Sequence, residues 1–239
     1  TFTAGAVTPS LSLSIAGQTA TFTAGAVTPN LSLALVGQSA TFSAGAVTPS
    51  IDNGITGQTA TFSSGSLSPE LTVALTGQTA TFTSGSVTAS TSSAIVLDGQ
   101  TSTFSSGVLT PEISIALTGQ TATFTSGSLA SSTDGNVSLM GQTGTFTAGT
   151  LSPELALGIT GQAATFTAGN VLASLDIGIV GQTATFTQGA LTPSLTVELT
   201  GQTATFTAGQ VGAPSGDLTV ALMGQTATFT AGALSVPST

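Results

Sequence analysis

Carboxylates and hydroxyls carry nearly all of the side-chain chemistry in this chain. Nine Asp and Glu residues are its only ionised side chains, because Lys, Arg and His are absent, as are Cys, Trp and Tyr. A Ser or Thr nucleophile would therefore lack a conventional general base. Paired carboxylates can hydrolyse glycosides from within a cleft, but these acids occur on a strand face that we expect to be exposed. The sequence thus predicts no catalytic residues and no enzyme.

The acids occupy fixed places before a recurring Gly-Gln pair, in the outward register of an alternating strand. Those seven residues before the Gly are Glu70, Glu112, Asp134, Glu154 and Asp217. The others, five, three or one residue before it, are Asp52, Asp98, Asp176 and Glu198. This placement favours solubility and protection against edge-to-edge association. Glu112, Asp134 and Glu154 fall in consecutive repeats and are the weak candidates for Ca²⁺, although one carboxylate per repeat makes a poor cage. We therefore expect no metal and no cofactor.

The charge balance excludes several kinds of partner. A net charge of -9 without a cation argues against nucleic-acid binding and against attraction to anionic lipid. No apolar run reaches the roughly 18 residues of a membrane-spanning helix, so we expect no membrane insertion. The chain opens at Thr1, in the middle of a repeated phrase, which predicts that it is a segment of a longer protein.

The elements that position these groups follow from an internal repeat of about twenty residues. The phrase G-Q-T-A-T-F-T-A-G recurs with small changes, followed by a variable loop and an alternating run such as L-S-L-A-L-V. All twelve phenylalanines occupy the same place in it: Phe2, Phe22, Phe42, Phe62, Phe82, Phe104, Phe124, Phe146, Phe166, Phe186, Phe206 and Phe229. Such periodicity is typical of quasi-one-dimensional repeat proteins. We therefore expect residues 1–239 to form a single repeat array.

Each repeat predicts two short strands with one apolar face. Before each Gly-Gln, apolar residues such as Leu13 and Ile15 alternate with small or polar ones, which is the period of a half-buried strand. After it, Ala20 and Phe22 alternate with threonines in the same way. A Val or Leu two residues after the second Gly, such as Val27, is expected to close the end of the core. The fold class is therefore all-β.

Two architectures can bury these apolar faces. The favoured hypothesis is a β-solenoid. In this fold each repeat is one coil, and the Phe-bearing and Leu-bearing strands form two sheets that face each other across a thin core. Twelve coils at about 4.8 Å would give a rod about 55–60 Å long. Alternatively, Gly-Gln forms a type II′ turn, which pairs Ile15 with Ala20 and Leu13 with Phe22. Antiparallel hairpins would then build an oligomeric β fibre, since a lone hairpin is marginal in water.

Outward threonines are the candidate recognition surface. Thr19, Thr21 and Thr23 point away from Phe22, and later repeats preserve the pattern. The corresponding threonines in a central repeat are Thr121, Thr123 and Thr125. Stacked T-x-T rows resemble the surface of certain β-solenoid ice-binding proteins, although Thr is also an ordinary outward strand residue. Ice or carbohydrate is therefore the alternative ligand of this face.

The phrases G-Q-T-A-T-F-T-A-G and L-T-P-S-L-T-V-E-L-T-G-Q resemble repeats of bacteriophage structural proteins. They also resemble the opening strands of bacterial Ig-like domains, but an Ig sandwich needs about 100 residues. The resemblance implies a virion fibre or a surface stalk, without any site residue. We expect a structural segment of an extracellular or virion-associated fibre, whose partners are copies of itself or other fibre subunits and, in addition, host-surface glycan.

Overall fold

The protein is described by a computed structural model in which every assigned element is a β-strand. The described residues are 1–7, 10–27, 30–48, 51–67, 71–88, 93–110, 113–129, 135–151, 155–171, 175–191, 195–212 and 218–235. The strands in the first half are β1 (Phe2–Val7), β2 (Leu11–Ala16), β3 (Thr19–Val27), β4 (Leu31–Val36), β5 (Ser39–Val47), β6 (Ile51–Thr56), β7 (Thr59–Leu67), β8 (Leu71–Thr88), β9 (Ser93–Thr110), β10 (Ile113–Thr118) and β11 (Thr121–Leu129). The remaining strands are β12 (Gly135–Met140), β13 (Thr143–Leu151), β14 (Leu155–Thr160), β15 (Ala163–Val171), β16 (Leu175–Val180), β17 (Thr183–Leu191), β18 (Leu195–Thr200), β19 (Thr203–Gly212), β20 (Leu218–Met223) and β21 (Thr226–Ser235).

The strands form a parallel β-solenoid with one coil per sequence repeat. Each strand pairs in parallel with its equivalent one repeat away: β1 with β3, and β2 with β4. The long strands β8 and β9 run through the Gly-Gln pair and pair along both of their halves. The predicted solenoid is thus confirmed, and the antiparallel hairpin array is wrong. Both arrangements place the same residues inward, but the parallel one lets a single chain cover both apolar faces.

The Gly-Gln pair turns a solenoid corner instead of closing a hairpin, so the predicted cross-turn pairing of Ile15 with Ala20 is also wrong. Of the described glycines only Gly17 has a positive φ, of 155°, whereas a type II′ turn needs one in every repeat. Glycine is required for another reason. A Cβ on Gly37 would collide with the carbonyl oxygen of Gly17, one coil earlier. The corner also continues the ladder, because the Gly37 N–H donates to the Thr56 carbonyl oxygen at 3.0 Å.

The core contains a continuous column of phenylalanine rings. Neighbouring rings stack along the solenoid with centroids 4.6–5.1 Å apart and planes within 8° of each other. Ten of the rings are fully buried, from Phe22 to Phe206. The prediction that Phe faces inward is confirmed, but burial is incomplete at both ends of the column: Phe2 is half-buried and Phe229 is 52% exposed. Each of these two rings has a stacking neighbour on one side only.

The Leu-bearing sheet and the end of the core follow the predicted pattern. Leu33 and Leu35 are buried, and Val27 closes the end of the core as expected. Eight described polar residues are also buried, and they occur in both sheets: Asn53, Ser64, Ser84, Ser93, Ser102, Ser106, Ser126 and Gln188. Ser102 is satisfied, because its hydroxyl donates to the Thr118 carbonyl oxygen at 2.8 Å. The side chains of Asn53 and Gln188 are buried and have no hydrogen-bond partner for either their oxygen or their nitrogen.

Candidate recognition surface

The outward face of the Phe-bearing sheet carries three parallel ranks of hydroxyls, which we call the hydroxyl face. In β3, Thr19 and Thr23 are exposed and Thr21 between them is half-buried. Along a rank, neighbouring side chains are separated by the coil spacing seen in the phenylalanine column. Across the ranks, they lie two residues apart on a strand, about 6.5–7 Å. Parallel in-register pairing thus makes a two-dimensional lattice from a one-dimensional repeat.

The middle rank is uninterrupted over the paired coils. Register places in one line Thr21, Thr41, Thr61, Thr81, Thr103, Thr123, Thr145, Thr165, Thr185, Thr205 and Thr228. The flanking ranks, which contain Thr121 and Thr125 beside Thr123, hold Thr or Ser except at Ala163. The structure therefore brings the six threonines singled out from the sequence onto this one face. A β-branched side chain has few rotamers on a strand, which keeps the hydroxyls ordered.

A rank of amides borders the hydroxyl face, although the Gly-Gln pattern in the sequence indicates only a turn for these residues. The Gln of every corner pair is exposed, and the rank comprises Gln18, Gln38, Gln58, Gln78, Gln100, Gln120, Gln142, Gln162, Gln182, Gln202 and Gln225. Their backbones also join neighbouring coils: the Ser39 N–H donates to the Gln18 carbonyl oxygen at 3.0 Å. The recurrence of Gln after the corner Gly was the signal in the sequence. The corner thus adds a row of solvent-exposed amide groups, one per coil, beside the hydroxyl face.

The outward face of the Leu-bearing sheet, which we call the variable face, lacks this regularity. Its middle rank consists of Ser14, Ala34, Gly54, Ala74, Val96, Ala116, Ser138, Gly158, Gly178, Glu198 and Ala221. Small, apolar and acidic residues are all accepted there, and Val96 is 45% exposed. The middle rank of the variable face thus accepts several residue types, whereas the middle rank of the hydroxyl face, whose side chains are half-buried over most of its length, holds Thr throughout.

The described carboxylates all lie on the variable face or at its border. Asp52, Asp98, Asp176 and Glu198 are exposed and project away from the core, as predicted. The Ca²⁺ candidates Glu112, Asp134 and Glu154 lie outside the described residues, as do Glu70 and Asp217. Within the described part of the chain, no group of three or more metal-ligating side chains comes together.

The chemistry available on the hydroxyl face is hydrogen bonding through neutral donors and acceptors, combined with methyl contact. The face carries no aromatic ring and no charge among its described residues. It therefore suits a partner that is itself a regular, uncharged array of hydrogen-bonding groups. Among the described residues, no helix is long and apolar enough to cross a membrane.

Comparisons of the chain with protein-family models, with curated proteins and with solved structures found no match.

Proposed function

We propose that this array is a structural segment of an extracellular fibre, such as a phage virion appendage or a surface stalk. The observation that carries the proposal is the identical joining of every coil to the next. Each coil repeats the same parallel ladder, the same ring stack and the same glycine contact, so the segment acts as a spacer whose length is set by the number of repeats. Copies of this chain or other fibre subunits are its partners.

A location outside the cell accords with the composition of the chain. The absence of Lys and Arg removes every cleavage site for a protease that cuts after basic residues. The strands also bury most of their backbone groups in ladders that continue from coil to coil, which limits local unfolding and hence proteolysis. A fibre exposed to digestive conditions benefits from both properties.

Removing one whole repeat, residues 143–162, should shorten the segment by one coil spacing, about 4.8 Å, without loss of folding. The deletion joins Gln142 to Ala163, and this junction reproduces the corner found in the intact chain because Ala163 pairs with Thr143 in register. Electron cryomicroscopy of the assembled fibre measures its length, and an antibody against the hydroxyl face shows where the segment lies. Fibres of unchanged length, or labelling confined to the cell interior, would contradict the proposed role.

The regular hydroxyl face favours a second candidate, which is recognition of ice or of a carbohydrate surface. Three ordered ranks of hydroxyls and a rank of amides match a neutral ligand lattice better than they match an isolated small molecule. Carbohydrate sites commonly add an aromatic platform, which this face lacks, so the geometry favours ordered water over sugar. In the fibre role proposed first, the partner of the hydroxyl face is host-surface glycan.

Thr123→Glu should abolish binding by this face, because it places a charge in the centre of the lattice. Ala116→Glu is the matched control: it introduces the same side chain into the middle rank of the variable face, where Glu198 is already present. Ice-crystal shape and thermal hysteresis measure the first ligand, and a glycan array measures the second. We expect Thr123→Glu to lose the response and Ala116→Glu to keep it. Absence of any response in the unmodified protein would rule out this second function.

A further inference from the structure

Asn53 occupies an inward position of β6 where an apolar residue belongs. Register places it in the same rank as Leu33 on one neighbouring coil and Val73 on the other. Its side chain is 1% exposed, and neither Oδ1 nor Nδ2 has a hydrogen-bond partner. A buried amide in this state loses its hydrogen bonds to water without replacing them. The native structure therefore confines the amide without giving it a stabilising hydrogen bond.

The next residue along the strand is Gly54, on the outward face. A Cβ built on Gly54 would meet no heavy atom within 4 Å, so close packing does not explain the glycine. Glycine in a strand interior lowers stability, because the unfolded chain gains backbone freedom and the strand loses side-chain packing. Together with the unsatisfied Asn53 amide, this makes the coil containing β6 a point of low local stability in the solenoid.

We propose that Asn53–Gly54 is a site of spontaneous deamidation that limits the lifetime of the folded rod. The Gly54 backbone nitrogen attacks Cγ of Asn53, forming an N–Cγ bond. The bond from Cγ to Nδ2 breaks, and the former Gly54 amide proton leaves with that nitrogen as ammonia. Water then opens the succinimide at either carbonyl: hydroxide adds to the carbonyl carbon and the ring nitrogen regains a proton. The product is an aspartyl or an isoaspartyl residue.

Glycine after asparagine favours this reaction, because no side chain shields the attacking nitrogen. The other three asparagines of the chain are Asn30, Asn136 and Asn170. Leu or Val follows each of them, and a branched side chain hinders the same attack. An extended strand holds the Gly54 nitrogen away from Cγ of Asn53, so the reaction proceeds when β6 opens locally. The low stability of this coil and the chemistry of its sequence therefore act at the same residue.

The product would disrupt the rod at a defined place. A carboxylate at this position would be buried between Leu33 and Val73, and the chain has no Lys, Arg or His to pair with it. Burying an unpaired charge is strongly unfavourable, so β6 would remain open. An isoaspartyl linkage adds a backbone atom and shifts the register of the strand. The rod would thus divide between the coils before and after β6. This consequence does not depend on the function proposed above.

The full chain, incubated at mildly alkaline pH and sampled over time, tests this proposal. Peptide mass spectrometry measures conversion of amide to acid at each asparagine. We expect conversion at Asn53 to exceed that at Asn136 and Asn170 by about an order of magnitude. Limited proteolysis with a non-specific protease should then cut within Ile51–Thr56 in the aged protein and not in the fresh protein.

Gly54→Ala is the matched control, because the open space above Gly54 accepts a methyl group. The methyl group hinders attack on Cγ, so conversion at Asn53 should fall by about an order of magnitude while circular dichroism shows the same strand content. The aged variant should also resist cleavage within β6. Persistence of Asn53 in the unmodified chain, or equal rates in the unmodified chain and Gly54→Ala, would overturn the proposal.

Discussion

Phe124→Ala should lower the free energy of unfolding of the central coils by about 3–5 kcal/mol. Phe124 is fully buried, and its ring stacks on Phe104 at 4.9 Å and on Phe146 at 4.6 Å. Truncation removes the apolar area of the ring and leaves a cavity between two neighbours that are fixed by their own strands. Truncation also interrupts the ring column. The stacking energy of two aromatic pairs is then lost in addition to the buried area, because offset-stacked pairs add stability beyond their burial.

Thr123→Ala is the neighbouring control, on the opposite side of the same strand. Thr123 is half-buried on the hydroxyl face, so we expect a change within about 0.5 kcal/mol. Repeat arrays often unfold in parts, so hydrogen exchange of the central strands should accompany denaturant unfolding. Equal and small effects of the two changes would show that Phe124 is not a core residue.

Gly119→Ala should destabilise the solenoid by about 1–3 kcal/mol or more, because the packed structure offers no room for the methyl group. A Cβ on Gly119 would lie 3.0 Å from the Gln100 carbonyl oxygen and closer still to that of Gly99. Both obstacles are backbone atoms of the preceding coil. Relief of the clash therefore requires neighbouring coils to separate at the corner, which stretches the ladder hydrogen bonds there.

Gly158→Ala makes the same chemical change where space is open. No heavy atom lies within 4 Å of a Cβ at this position on the variable face. Reduced freedom of the unfolded chain should then stabilise the protein by about 0.4–1 kcal/mol. In thermal and denaturant unfolding, the change in the free energy of unfolding should therefore have opposite signs in the two variants. Equal effects would mean that coil spacing does not select glycine at the corners.

Alternation along each strand was enough to predict which residues point inward. Phe22 and Leu33 are buried, and Thr19, Thr23 and Asp52 are exposed, as the period of two required. Alternation does not determine the direction of strand pairing, because a hairpin and a solenoid place the same residues on the same faces. The turn preference of Gly-Gln favours the hairpin. The actual reason for glycine at Gly37 is the close approach of the Gly17 carbonyl oxygen from another coil, which the local sequence does not reveal.

The candidate surface was predicted in part. The positions of Thr121, Thr123 and Thr125 followed from the repeat, whereas their alignment with equivalents on other coils depends on parallel register. The rank of Gln beside them does not follow from the sequence, because Gly-Gln indicates only a turn and the alignment of these residues depends on parallel pairing. Asn53 was visible as an exception to the apolar pattern. Its lack of any partner could be recognised only once the surrounding strands were in place.

Pairing between equivalent strands one repeat apart has a consequence for folding kinetics. Phe22 meets Phe42, and Phe42 meets Phe62, so every new coil closes a loop of one repeat however long the array becomes. Loop-closure entropy then stays constant along the chain, and contact order relative to length falls as repeats are added. The same uniformity makes a slip by one whole repeat hard to distinguish from correct pairing.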